Sequence, residues 1–388
     1  RISTHLLQLP FSYALISNTT TTMTTTEHCL ADESFPLLIK ARKDAVSVSP
    51  QPIFDAGYWF PYLEDRAAAY AYTVSQGFKA PTLYCCVTKI EEVGSLCTLP
   101  GSFVIRATNS HSNQGIFVFP TGFGGVEHIS GMTMELEDVV AKINEWPVPP
   151  EKILVEQFVN GGSLAEPALP AEYKFHVFNG EIGAVTVIAN RGGDCACYAE
   201  VDANFNRLDG GGCFVPSVPM GQNLDGDSCY DIDKEAGSKN PYTIKGLDFC
   251  GEVTQPDPCL WGEMKMIAMA LGMKIGVYMR VDMFVDPVGG IYVQEYTANH
   301  NGGLRHCTSK EENGCLNSCF LGQLWKSKSP GDTLRYGGPT TTQPTMFDNW
   351  NSLNSTEQCG VASGTEPPAS SFVSQCGSLT GFDFDFNS

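Results

Sequence analysis

Two strand-like runs joined by a tight turn constrain this chain more than any other feature. Val277-Tyr-Met-Arg-Val-Asp-Met-Phe-Val-Asp286 and Ile291-Tyr-Val-Gln-Glu-Tyr-Thr297 flank Pro287-Val-Gly-Gly290. Proline fixes one φ and the two glycines tolerate positive φ, so the three segments predict a β-hairpin. Pairing Asp286 with Ile291 sets Asp282 opposite Glu295, with Cβ atoms about 5 Å apart on one face. Like charges at that spacing destabilise a sheet unless something neutralises them. The bland alternative is that both carboxylates diverge into solvent. Against it, Val281, Met283, Val285, Tyr278, Phe284, Tyr292 and Val293 make both faces apolar, and a buried carboxylate needs a partner. A hard divalent cation supplies one. Arg280 projects from the same face and would hold an anion against that cation, which points to polyphosphate chemistry.

The net charge of −19 over 388 residues excludes a general nucleic-acid binder, which needs a basic surface. No run approaches the ~20 apolar residues that span a bilayer. A hydrophobic content of 42% is ample for a large core. The 15 cysteines show no paired CxxC spacing, so disulfides are a better reading than structural zinc. Sequons at Asn18-Thr-Thr and Asn354-Ser-Thr agree with a secretory route, as would a signal-peptide remnant over Leu6–Ile16. Alternatively Met23 is the start, with no targeting signal after it.

Residues 1–50 read as irregular. Asp65 to Gln76 reads as a helix closed by Gly77, and Thr82 to Val87 as a strand. Phe103–Ala107 and Ile116–Phe119 read as strands around a polar loop, Thr108 to Gly115. Leu136 to Trp146 is an amphipathic helix, and Ile153 to Val159 a strand. Tyr173–Phe178 and Ile182–Ala189 form a hairpin about Asn179-Gly180, a type I′ signal. Residues 191–259 read as a loop-rich excursion and Trp261 to Met273 as a helix. After Pro330 the Thr/Ser/Pro/Gly composition predicts a disordered tail. Short strands, hairpins and helices in this order indicate an α+β fold.

The polar loop has the shape of a phosphate-gripping flap. Arg106 would reach the phosphates, while backbone N–H groups and the hydroxyls of Ser110 and Ser112 would cradle them beside His111. No Gly-x4-Gly-Lys-Ser/Thr loop and no Gly-x-Ser-x-Gly elbow occurs.

Taken in order, these parts resemble the ATP-grasp superfamily, and more closely its TupA-like branch, named for teichuronopeptide synthesis. The resemblance spans roughly residues 60–305. It is carried by Asp65-Arg66, by Leu99-Pro-Gly-Ser-Phe-Val-Ile-Arg106 with its His111-Ser-Asn loop, and by Glu156. Glu172-Tyr-Lys-Phe-His-Val-Phe-Asn-Gly180, Arg191, Arg280-Val-Asp282 and Glu295 complete it.

The resemblance implies two α+β subdomains gripping a nucleotide. Residues 51–100 would precede a grasp core at 101–330, with 331–388 as a low-complexity tail. Arg106 takes the place of a phosphate-binding Lys, and Ser110, His111 and Ser112 form the flap. Glu156, Gln157 and Val159 would line the adenine hinge, largely through backbone groups, and Glu172 would bind the ribose. Lys174, Arg191 and Arg280 would act on the transferring phosphoryl group. Asp282, Glu295 and Thr297, where most relatives carry Asn, would hold Mg²⁺ or Mn²⁺. The implied cofactors are ATP and that metal, and the implied activity is carboxylate–amine ligation through an acyl phosphate. The partners would be a small carboxylate and an amine or glycan-linked acceptor. Two alternatives are phosphotransfer to a hydroxyl and a non-catalytic relative that binds a glycan or nucleotide. ATP supply favours the cytoplasm; the cysteines and sequons favour a secretory lumen or the exterior.

Overall fold

The computed structural model describes residues 35, 37–39, 41–42, 59–108, 115–146, 149–163, 165–189, 196–206, 212–214, 255–298, 316–328 and 343–365. Helix α1 (Arg66–Ser75) starts where the sequence places it. The Asp65 carboxylate accepts from the backbone N–H of Ala67 and Ala68, at 2.9 and 3.0 Å, and satisfies two donors of the first turn. Strands β1 (Leu83–Val87), β2 (Phe103–Ala107), β3 (Ile116–Phe119) and β4 (Ile153–Gln157) form an antiparallel sheet in the order β1-β4-β2-β3. Helix α2 (Leu136–Asn144) buries Val139 and Ile143 in the core behind that sheet.

The second sheet is also antiparallel. It contains β5 (Glu172–Phe178), β6 (Glu181–Ala189), β7 (Ala196–Val201), β8 (Gly212–Phe214), β9 (Tyr278–Val285) and β10 (Ile291–Thr297), in the order β10-β9-β5-β6-β7-β8. The β5–β6 turn has Asn179 at φ 47° and Gly180 at φ 87°, as a type I′ hairpin requires. Helix α3 (Pro258–Ile275) lies across one face of this sheet, its Trp261, Met264 and Leu271 packing with Phe175, Val177 and Val281. Alternation along the strands then forces the neighbouring residues onto the opposite face, and those are the charged ones. The α+β class read from the sequence therefore stands, with two antiparallel sheets and helices against them. No helix among the described residues is long and apolar enough to cross a membrane.

Three parts of the chain differ from the sequence reading. Residues 35, 37–39, 41 and 42 are helical, and Phe35 and Ile39 pack under helix α4 (Leu316–Lys328) with Trp325. Strands β7 and β8 lie inside the expected excursion, because pairing of β7 with β6 and of β8 with β7 satisfies backbone groups that composition alone leaves unassigned. The tail is folded over residues 343–365. Phe347 stacks against Trp59 and Tyr62, and helix α5 (Ser355–Gly364) is bonded to β1 through the Cys86–Cys359 disulfide. A second disulfide joins Cys85 to Cys97.

The Cys86–Cys359 bond closes a loop of 273 residues, so its loss is expected to cost about 2–5 kcal/mol. Cys359→Ser should lower the unfolding free energy by that amount, shift the denaturation midpoint down and open residues 343–365 to protease. An unchanged midpoint would show that packing alone holds the segment.

Candidate functional site

The charged face of the six-stranded sheet begins with Asp282, 1% exposed. Lys174 is its register partner on β5. The Lys174 ammonium donates to Asp282 Oδ2 at 2.6 Å and lies 2.8 Å from Glu172 Oε2. Arg280, two residues before Asp282 on the same face, donates from Nε at 2.6 Å and from its terminal nitrogen at 2.7 Å. The same nitrogen also reaches the Thr297 hydroxyl at 2.9 Å. That hydroxyl donates to Glu295 Oε1 at 3.4 Å, and Arg66, the first residue of α1, holds Glu295 Oε2 at 3.1 Å.

Glu295 stands opposite Asp282, but by a different route from the one the turn implied. Ile291 pairs with Val285, not Asp286, because the Asp286 side chain caps the turn by accepting from Val288 and Gly290 N–H. A β-bulge between Val293 and Glu295 then restores the offset. The extra residue is Gln294, and the bulge sends both Gln294 and Glu295 to the charged face.

The small sheet contributes Arg106 and Glu156, 3.5 Å apart at the nearest atoms. The Gln294 carboxamide, with its oxygen turned toward the guanidinium, accepts from both terminal nitrogens of Arg106 and ties the two sheets together. Four carboxylates (Glu156, Glu172, Asp282, Glu295) thus meet four cations (Arg66, Arg106, Lys174, Arg280).

These fields move the titrations. Burial, with Arg66 close by, lowers Arg106 to about 10 in spite of Glu156, Glu295 and Glu172. Burial opposes the charge on Arg280, but Asp282, through its field and hydrogen bonds, lifts that guanidinium above its ordinary value. Burial also opposes the charge on Glu295; Arg66, Arg280, Lys174 and Arg106 outweigh it and hold the carboxyl well below the usual range.

The structure brings together Arg106, Glu156, Glu172, Lys174, Arg280, Asp282, Glu295 and Thr297. Ser110, His111, Ser112 and Arg191 lie outside the described residues. Val159 is buried beyond the end of β4. At Gln157 the backbone N–H donates to Thr82 O and the side chain accepts from Thr82. His176 is fully buried, hydrogen-bonded to Tyr278 at 2.9 Å and set edge-on to Phe35, a structural placement. Sequence reasoning gave no role to Arg66, Lys152 or Gln294. The Asp65-Arg66 helix start was the available signal for the first.

The oxygen donors of Asp282, Glu295 and Thr297 suit a hard divalent ion. Among the described residues, however, no three His, Cys, Asp or Glu side chains converge as a metal-binding group, and Asp282 and Glu295 are held by cations instead.

No protein-family model matches the chain, and no curated protein is significantly similar to it. Several solved structures resemble it in part. D-alanine–D-alanine ligase from Helicobacter pylori is 13% identical over 67% of this chain and 60% of its own, at a TM-score of 0.37. L-amino acid ligase from Bacillus licheniformis is 14% identical over 71% and 48%, at 0.36. N5-carboxyaminoimidazole ribonucleotide synthetase from Thermotoga maritima is 12% identical over 74% and 52%, at 0.35. The chain thus spans only about half to three fifths of the length of these structures.

Because the Glu295 carboxyl is depressed on folding, its contribution to stability is complete above the ordinary Glu value, near pH 4.3, and is lost as the pH falls below it. Glu295→Gln should therefore destabilise the protein at pH 7 and flatten the acid limb of its stability curve. A variant with the wild-type acid limb would show that Arg66 and Arg280 do not hold Glu295 ionised.

Proposed function

We propose that this chain is an ATP-dependent carboxylate–amine ligase of the ATP-grasp type, acting through an acyl phosphate. One observation supports it most: a largely buried, charge-balanced set of four cations and four carboxylates where a four-stranded sheet meets a six-stranded one. Burying such a set is costly and adds little to stability over apolar packing, which favours a functional reason for it.

In this reading Arg106 and Lys174 neutralise polyphosphate charge. Arg280 stabilises the phosphoryl group in transfer, and Glu172 takes the ribose hydroxyls. Asp282, Glu295 and Thr297 would hold Mg²⁺ or Mn²⁺, which when bound neutralises the terminal phosphates. Binding then requires Arg280 and Lys174 to exchange Asp282 for phosphate oxygens. The Glu172–Gly180 hairpin motif supports the TupA-like branch and, with it, a polysaccharide- or amino-acid-linked acceptor.

The Cys85–Cys97 and Cys86–Cys359 disulfides favour an oxidising compartment, a secretory lumen or the cell exterior, over the cytoplasm. They also keep one second reading in play, a secretory glycan- or nucleotide-binding relative without catalysis.

Calorimetry of ATP, with and without Mg²⁺, tests the site. Wild type should bind more tightly with magnesium, and Asp282→Asn/Glu295→Gln should weaken that binding by about 100-fold, roughly 2.7 kcal/mol. Folded wild type that binds no nucleotide would overturn the proposal. Magnesium-enhanced binding without ADP release, across pooled carboxylates and amines, would leave the non-catalytic reading. Separately, thiol alkylation of unreduced protein purified from its native source should leave Cys85, Cys86, Cys97 and Cys359 unmodified. Free thiols at those positions would place the protein in a reducing compartment.

A further inference from the structure

We infer that Gln294 is a positioning residue of this site, a neutral acceptor that holds the Arg106 guanidinium ready for an anionic ligand. The inference rests on the polyphosphate reading of the site and adds a residue and a role to it.

Arg106 is nearly buried and has several carboxylates within reach. Glu156 is 3.5 Å from Nε, and Glu295 and Glu172 act on it through their fields, with Arg66 opposing. Nε itself makes no hydrogen bond among the described residues, and both terminal nitrogens are taken by the Gln294 amide. That choice of acceptor has a chemical consequence. A guanidinium closed against a carboxylate is neutralised, and an incoming anion has to break a charge-assisted pair to reach it. A guanidinium whose terminal nitrogens are held by an amide has no closed ion pair at that end, and the bonds to be exchanged there are to an uncharged acceptor, weaker than a pair in which both partners are ionised.

The backbone is arranged to make this possible. Tyr292 pairs with Phe284, and Glu295 pairs with Asp282, so both lie on the charged face. Without an irregularity, strict alternation would send either Gln294 or Glu295 to the apolar side, among Val293 and Tyr296. The bulge puts two adjacent side chains on the charged face. Glu295 goes to Arg66 and Thr297, and Gln294 to Arg106. One strand position therefore supplies both the anionic and the neutral acceptor, each to a different arginine.

Two variants separate this role from a packing one. Gln294→Glu keeps the shape and turns the held guanidinium into a closed ion pair. Gln294→Met keeps much of the volume and offers Arg106 no acceptor. Titrations would use Mg-ATP and Mg-tripolyphosphate on the full-length protein, with thermal midpoints recorded in parallel. Gln294→Glu is expected to weaken both probes by about tenfold or more with an unchanged or higher midpoint, and Gln294→Met by less than about threefold. Equal losses in the two variants, wild-type affinity in Gln294→Glu, or a loss that follows a fallen midpoint would each overturn the inference. Wild type that binds neither probe would remove the polyphosphate reading and this role together. Wild-type binding with an unaffected Gln294→Glu would remove this role alone.

Discussion

Asp282 is a carboxylate in the interior of a sheet, and an isolated charge there would cost several kcal/mol. Its compensation fixes much of what surrounds it. Lys174 reaches it only because β5 is the neighbour of β9 in this register, and Arg280 only because both share one face of one strand. Sliding β9 by one residue against β5 would turn Asp282 into the Phe175–Val281 core beneath α3 and leave Lys174 with Glu172 alone. The charge network and the apolar face therefore call for the same register.

The same network fastens elements that backbone pairing does not connect. Arg66 is placed by the first turn of α1, whose N–H groups the Asp65 carboxylate holds, and Asp65 in turn pairs with the buried Lys152 ammonium at 2.7 Å. Lys152 immediately precedes β4 and also donates to Gln358 of α5, next to the cysteine bonded to β1. A continuous chain of contacts thus runs from the Cys86–Cys359 disulfide through Lys152 and Asp65 to Arg66 and Glu295. The arginine that holds Glu295 ionised is positioned partly by a segment some 290 residues further along the sequence.

The sequence showed those features that depend on local chemistry. The Asp65 cap, the Asn179-Gly180 turn and the strands around Arg106 come from short-range preferences, and the structure has them where expected. The facing of Asp282 and Glu295 was also legible, although the inferred path assumed a regular ladder. Bulges are decided by how a turn closes and by what lies beyond the strand, here the Asp286 side chain and the arginine of another sheet. Neither is visible within a few residues of Gln294. The fold of residues 343–365 was hidden for a similar reason. Their composition promises little burial, and their order comes from Phe347, Trp350 and a disulfide to a partner 273 residues away.

What distinguishes this site electrostatically is that it is already closed by its own charges. A pocket lined with free cations attracts anions indiscriminately, whereas here most of the cationic nitrogens already face a carboxylate or an amide. A ligand gains only by exchange, and exchange is favourable when it brings both signs at once: negative oxygens for Arg280, Lys174 and Arg106, and a positive centre for the Asp282 and Glu295 they release. A lone phosphate satisfies the cations and strands the carboxylates; a lone metal ion does the reverse and takes from Arg280 and Lys174 the carboxylate they share, Asp282. A metal–polyphosphate pair, the ligand of the proposed function, would satisfy both sets without leaving a buried charge uncompensated. Under the proposed function the balance of four against four would act as a filter for composite ligands, and the Gln294 amide on the terminal nitrogens of Arg106 is an acceptor whose release exposes no charge, while Glu156 stays beside Nε.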